Sequence, residues 1–233
     1  MECPYKYKCN GIDCDKDFCL RKYKLDYLYH MSLLSDKQRQ YQDLYADADN
    51  TDVKEFIQLA ELANNVKTFV QEGKNLYLHS ATCGNGKSSW AARFIQNYFE
   101  AIWPTTGLTC KALFISVPKF LLELKANISN KSEYIAIIQD YVLEADLVVW
   151  DDLAAKVGTE FEINHLLSLI DNRIASGKSN IYTSNLNPQE MTTALGSRLQ
   201  SRVCKYSIDI ELHGKDKRNY AVNAAAAEQG GNE

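Results

Sequence analysis

The chain of 233 residues has a net charge of −4, with 45% hydrophobic and 24% charged residues. That balance is globular: it excludes a disordered or rod-like chain, leaves room for one full domain and a small accessory unit, and argues against coating duplex DNA through bulk charge. The longest apolar runs, residues 134–138 and 147–150, fall far short of the roughly 18 residues of a membrane span, so no membrane segment is expected.

The first residues lack the apolar stretch and small-residue cleavage site of a secretory signal, and a cytoplasmic protein is expected. In a reducing cytosol cysteines serve as metal ligands or packing residues. Four of the seven, Cys3, Cys9, Cys14 and Cys19, lie within the first nineteen residues, with His30 nearby. Their spacing is wider than that of a common zinc knuckle. A peptide this small needs a staple, however, and four thiolates can hold Zn²⁺; unliganded thiols or an iron–sulfur cluster are the alternatives. Residues 1–34 therefore read as a small cysteine-rich zinc-binding module, set apart from the rest. Cys83, Cys110 and Cys204 read as packing residues.

Residues 35–52 are polar and acidic (Asp36, Asp43, Asp47, Asp49, Asp52) and read as a linker. Over 53–70 the apolar residues Phe56, Leu59, Ala60, Ala63, Val66 and Val70 recur as one helix face. From residue 75 short apolar runs alternate with helical patterns, which predicts an α/β fold with a five-stranded parallel sheet flanked by helices. Strands are expected over 76–79, 112–117, 147–150, 180–183 and 206–210, with helices over 87–101, 119–126, 132–143, 160–175 and 188–195 and a short one through Ser201. The main domain spans 53–212, and residues 213–233 read as a disordered tail.

The sharpest chemical feature is Ala81-Thr82-Cys83-Gly84-Asn85-Gly86-Lys87-Ser88, followed by Ser89, between an expected strand and an expected helix. Two glycines let the backbone turn its N–H groups around an anion, and the helix N-terminus adds partial positive charge. Lys87 can reach β- and γ-phosphates and Ser88 can ligate Mg²⁺, which makes ATP and Mg²⁺ the expected cofactors. Ala81 stands where the usual pattern has its first glycine. The strand at 147–150 ends in Asp151 and Asp152: Asp151 is the expected Mg²⁺ partner, and Asp152 the residue that polarises an attacking water. Asn185, after the strand at 180–183, could orient that water, although an Asn there is more often a turn residue.

These motifs, together with Asp151-Asp152-Leu153-Ala154-Ala155-Lys156, Thr183-Ser184-Asn185-Leu186 and Gly196-Ser197-Arg198-Leu199-Gln200-Ser201-Arg202-Val203, resemble the AAA+ helicase loaders of the bacterial DnaC and DnaI type. The resemblance covers about residues 54–210 and extends to the transposition helper IstB. It implies a P-loop AAA+ ATPase that binds a replicative hexameric helicase, helps place it on single-stranded DNA during replication, and assembles with copies of itself. It also implies that Arg202, or Arg198 one turn earlier, acts on the nucleotide of a neighbouring subunit. The N-terminal stretch resembles that of phage and prophage loaders, where it would dock the helicase. Lys119, Lys125 and Lys131, with Phe120 or Tyr134 for stacking, could meet single-stranded DNA. An IstB-type transposition helper and a small P-loop kinase are the alternative readings; the acidic balance leans against the first, and the second would need a substrate pocket and lid where this sequence offers a Ser-Arg pair and an N-terminal docking module.

Overall fold

Short strands that are apolar on both faces must be covered on both faces, and parallel pairing with helical crossovers achieves this. In the computed structural model, which describes residues 16–46, 51–129, 133–155 and 158–217, the strands are β1 (Asn75–His79), β2 (Ala112–Ser116), β3 (Leu147–Asp151), β4 (Ser179–Ser184) and β5 (Ser207–Glu211). They form one sheet in the order β2-β3-β4-β1-β5, every pair parallel. Each lies within a residue or so of its expected place.

The helices are α1 (Lys16–Met31), α2 (Asp36–Arg39), α3 (Val53–Asn64), α4 (Val66–Gln71), α5 (Lys87–Ile102), α6 (Val117–Ser129), α7 (Glu133–Glu144), α8 (Glu160–Ala175) and α9 (Pro188–Lys205). One sheet face presents Leu76, Leu78, Phe114, Val149 and Ile181 to α3, α4 and α5. The other presents Tyr77, Leu113, Ile115, Val148 and Tyr182 to α6, α7, α8 and α9. The single helix expected over 53–70 is broken at Asn65, whose side-chain amide donates to Glu61 O at 2.9 Å and ends α3 there. Gly196, at φ 83° and ψ 158°, kinks α9 between its two expected parts.

Residues 16–34 of the expected N-terminal module share this core. Leu28 and Leu34 are buried in the α5-side cluster, and Tyr29 meets Phe99 edge-on at 5.2 Å. Arg21 pairs with Glu100 at 2.7 Å, and the Phe114 N–H donates to Ser32 O at 2.8 Å, which covers part of the β2 edge. The physical reason is the apolar surface of α5 and β2, which would otherwise face water.

A polar hub lies at the amino end of the sheet. Asn75 Oδ1 accepts both the backbone N–H (2.8 Å) and side-chain amide (2.9 Å) of Asn180. Asn180 Oδ1 in turn accepts from Trp150 Nε1 (3.1 Å) and Arg173 Nε (2.7 Å). Arg173 has no solvent exposure; it also donates to Val142 O on the last turn of α7, to Ala145 O (2.8 Å) just after it and to Ser179 O (2.6 Å) at the start of β4. Burial pushes the guanidinium down to about 10, still a cation at neutral pH.

Candidate functional site

In an open parallel sheet, ligands gather outside the carboxyl ends of the strands, where the loops diverge. Here the loop from β1 to α5 lies between the ends of β4 and β5. Its turn needs left-handed backbone at Gly84 (φ 77°) and Gly86 (φ 106°), which glycine adopts without steric cost. Within the loop, Ser80 Oγ accepts from Thr82 N–H (3.0 Å) and Asn85 Nδ2 (2.6 Å). Lys87 is buried, its Nζ donating to Thr82 O (2.8 Å) and Asn85 Oδ1 (3.3 Å). The ammonium is thus held over the loop by weak neutral acceptors that an anion would outcompete.

Beside the loop, Thr183 at the end of β4 joins both expected acids. Its hydroxyl donates to Asp151 Oδ1 at 2.7 Å and accepts the Asp152 N–H at 3.0 Å. The Leu153 N–H donates to Thr183 O at 2.8 Å, and Ser184 Oγ donates to Leu153 O at 2.7 Å. This scaffold holds Asp152 at φ 57°, a conformation that costs a non-glycine residue about 1–3 kcal/mol. Asp151 is 7% exposed. Burial pushes its carboxyl above the usual carboxylate range, Thr183, Ser88 and Lys87 pull it back, and Asp152 adds to the rise.

Gly84, Asn85, Gly86, Lys87, Ser88 and Ser89 line a cavity of about 770 Å³ together with Cys83, Asp152 and Asn185. Ala81 and Thr82 belong to the loop outside that lining, and Asp151 sits behind it, against Thr183. The cavity's other wall is one that composition did not announce. Residues 35–45, expected as a linker, run along α5: Gln96 Nε2 donates to Gln38 O (2.7 Å) and Gln40 O (3.1 Å), Ser89 Oγ donates to Gln42 Oε1 (3.0 Å), and Arg93 lies 4.0 Å over the Tyr41 ring. Gln42 and Tyr45 face the cavity from this segment. Its sequence signal was the presence of Tyr41, Leu44 and Tyr45 in an otherwise acidic stretch.

Other expected residues lie elsewhere. Arg202 Nε pairs with Asp171 on α8, its Nη1 reaches Tyr206 OH at 3.5 Å, and Arg198 is exposed; among the described residues neither lines the cavity. Lys119 and Lys125 are exposed on α6, whereas Phe120 is packed into the core and is not available for stacking. Lys131 and the Tyr134 side chain are outside the described part, as are Lys156 and residues 218–233. Of the cysteine set, Cys3, Cys9 and Cys14 fall outside the described residues. Cys19 is on α1, and among the described residues no group of three or more His, Cys, Asp or Glu side chains is placed to hold a metal ion. No described helix is long and apolar enough to cross a membrane.

The fold is shared with solved structures. The DnaC helicase loader superposes with a TM-score of 0.62 at 17% identity, over 76% of this chain and 99% of that one. DnaI superposes at 0.60 and 21% identity, over 77% and 95%. The chain has the AAA+ fold. The replication initiator DnaA bound to AMPPCP and single-stranded DNA shares it at 0.60 and 15% identity, over 85% of this chain and 56% of that one, so this chain spans little more than half of DnaA's length. No protein-family model matches the sequence, and no curated protein matches it significantly. Within the AAA+ fold, the loop after β1 and the acid pair after β3 are neighbours through β4, which the order β3-β4-β1 inserts between them.

Proposed function

We propose that the protein is an ATP-dependent helicase loader, binding a replicative hexameric helicase and helping to place it on single-stranded DNA. The observation that carries the reading is the meeting of Lys87, Ser88, Asp151, Asp152 and Asn185 at one carboxyl edge, in a fold shared with the DnaC helicase loader over nearly all of that chain.

The residues fit a nucleoside triphosphate with Mg²⁺. Gly84 and Gly86 open the loop's N–H groups, Lys87 already extends over it, and Ser88 and Asp151 supply the hydroxyl and carboxylate that a hard cation prefers. Bound ATP would supply the phosphoryl group to be transferred to water. On the protein's side, Lys87 would exchange the Thr82 and Asn85 oxygens for phosphate oxygens. Asp152, fixed through its N–H by Thr183, would accept a hydrogen bond from water and draw off its proton, and Asn185 would orient that water. Arg202 would act on the site of a neighbouring copy, after leaving Asp171, which would couple turnover to assembly. Lys119 and Lys125 on α6 are the proposed contacts to the DNA backbone.

Retention of a replicative hexameric helicase on the immobilised full-length protein, with and without ATP, tests this reading. Nucleotide-dependent capture supports it. A protein that binds ATP but retains no helicase under either condition is not a loader, and capture of a transposase instead would move it to the IstB type.

A further inference from the structure

After β5 the chain turns back over the site. The Leu212 N–H donates to His79 O at 2.8 Å. The Asp52 carboxylate, 2% exposed, then takes the next two backbone donors, His213 N–H at 2.7 Å and Gly214 N–H at 2.6 Å. Three residues on, the Lys217 N–H donates to Gly84 O at 3.0 Å, and Lys217 Nζ donates to Tyr45 O at 2.6 Å while lying 5.0 Å from the Tyr45 ring centroid. The segment is therefore fastened at β1, at the start of α3, at the loop itself and at the opposite wall of the cavity. Lys217 makes the last two anchors, and Asp216 directly precedes it. A Cβ added to Gly84 would come within 1.9 Å of Asp216 Oδ1, so this carboxylate packs on the bare Cα of the loop glycine.

We propose that residues 212–217 form a strap across the phosphate loop, in which the Asp216 carboxylate opposes the entry of an anionic nucleotide and must swing aside for it to bind. The proposal rests on the nucleotide reading of the site. Its physics is like-charge repulsion: the N–H groups that would receive phosphates begin at the residue Asp216 touches, and a carboxylate a few ångströms from a phosphate disfavours it even in water. Asp216 is solvent-exposed, so the effect is moderate and screened by salt. The anchors explain why the charge stays in place: Asp52 binds two consecutive N–H groups with both oxygens, and Lys217 spans the loop and Tyr45.

The test is equilibrium binding of Mg-ATP and of ADP to the full chain, at low salt and at about 1 M salt, where the screening length is roughly 3 Å. Asp216→Asn is expected to tighten both at low salt by about three- to tenfold, the factor that one screened unit charge at this range provides. The gain should shrink at high salt, and Asp216→Glu, which keeps the charge, should bind as the wild type does. A wild type that binds nucleotide with an Asp216→Asn variant no tighter overturns the strap alone. If neither binds any nucleotide, the phosphate-loop reading itself fails and the strap goes with it.

Discussion

Thr183→Val tests the arrangement of the two acids most directly, because valine keeps the shape of threonine and removes only the hydroxyl. That hydroxyl is fully buried; it donates to Asp151 Oδ1 at 2.7 Å and accepts the Asp152 N–H at 3.0 Å. A hydrogen bond to a charged acceptor contributes about 1.5–3 kcal/mol and a neutral one about 0.5–1.5 kcal/mol, and no cavity is created, so the expected loss of stability is about 2–4 kcal/mol. The same change frees the Asp152 backbone from its fixed left-handed conformation. A displacement of about 1 Å at a reacting group can cost about 10²-fold, and turnover should fall by that order. Thr183→Ser retains both bonds and should stay within about 1.5 kcal/mol of the wild type, the cost of a buried methyl group. Urea unfolding followed by tryptophan fluorescence, with Trp150 buried on the neighbouring strand, reads the first quantity, and steady-state ATP hydrolysis the second. A loss below about 1 kcal/mol in Thr183→Val, or a Thr183→Ser protein as impaired as Thr183→Val, would refute the argument.

Lys87→Ala should abolish nucleotide binding in a folded protein, and it should also loosen the loop by about 1–2 kcal/mol, since Thr82 O and Asn85 Oδ1 lose their donor; equilibrium binding and urea midpoints check both, and normal affinity would remove the phosphate-loop assignment. Asp151→Asn carries a pH signature. Burial raises the folded carboxyl above its unfolded value, so the wild type's contribution is fully present below the unfolded value of about 3.8 and is lost as pH rises through the folded one; the amide variant should gain on the wild type over that rise while losing Mg²⁺-dependent turnover, and parallel stability curves would contradict it. Arg173→Met should cost about 3–5 kcal/mol in denaturant unfolding, because Val142 O, Ala145 O, Ser179 O and Asn180 Oδ1 lose a buried charged donor together. Mixing Arg202→Ala with Lys87→Ala should restore part of the ATPase activity that each lacks, as a junction can then pair an intact loop with an intact arginine; an inactive mixture that still co-assembles excludes Arg202 from that role.

The α/β core was legible because its signals are local. Apolar runs such as residues 147–150 end in paired acids and alternate with longer helical patterns such as residues 160–175. The loop after β1 was legible for the same reason, its glycines standing where the backbone reverses. What escaped was long-range. Helix α1 carries its buried Leu28 among charged residues and shows no clean apolar stripe, so its packing on α5 and β2 depends on surfaces far along the chain. Residues 35–45 look like a solvated linker by composition, yet Gln96 and Arg93 bind their backbone, and backbone recognition leaves no trace in the residues recognised. Thr183 stands in the Thr183-Ser184-Asn185-Leu186 motif, but only three-dimensional adjacency reveals that one hydroxyl serves both acids.

The Asn75–Asn180 pair at the amino end of the sheet has a consequence for its carboxyl edge. Parallel strands of apolar residues are interchangeable enough to slide past one another, and a slip of one residue would turn every side chain to the opposite face. Here a slip of β4 against β1 would strand two carboxamides, an indole N–H and a guanidinium in hydrocarbon. The amides therefore act as an alignment pin. Ser184 lies four residues from Asn180, about 13 Å along the strand, and the pin at one end sets which atoms of β4 stand beside His79 and the loop at the other. Tolerances at the working end are thereby inherited from a place that no ligand touches, and substitutions at Asn75 or Asn180 should blur the geometry around Thr183 without altering any residue there.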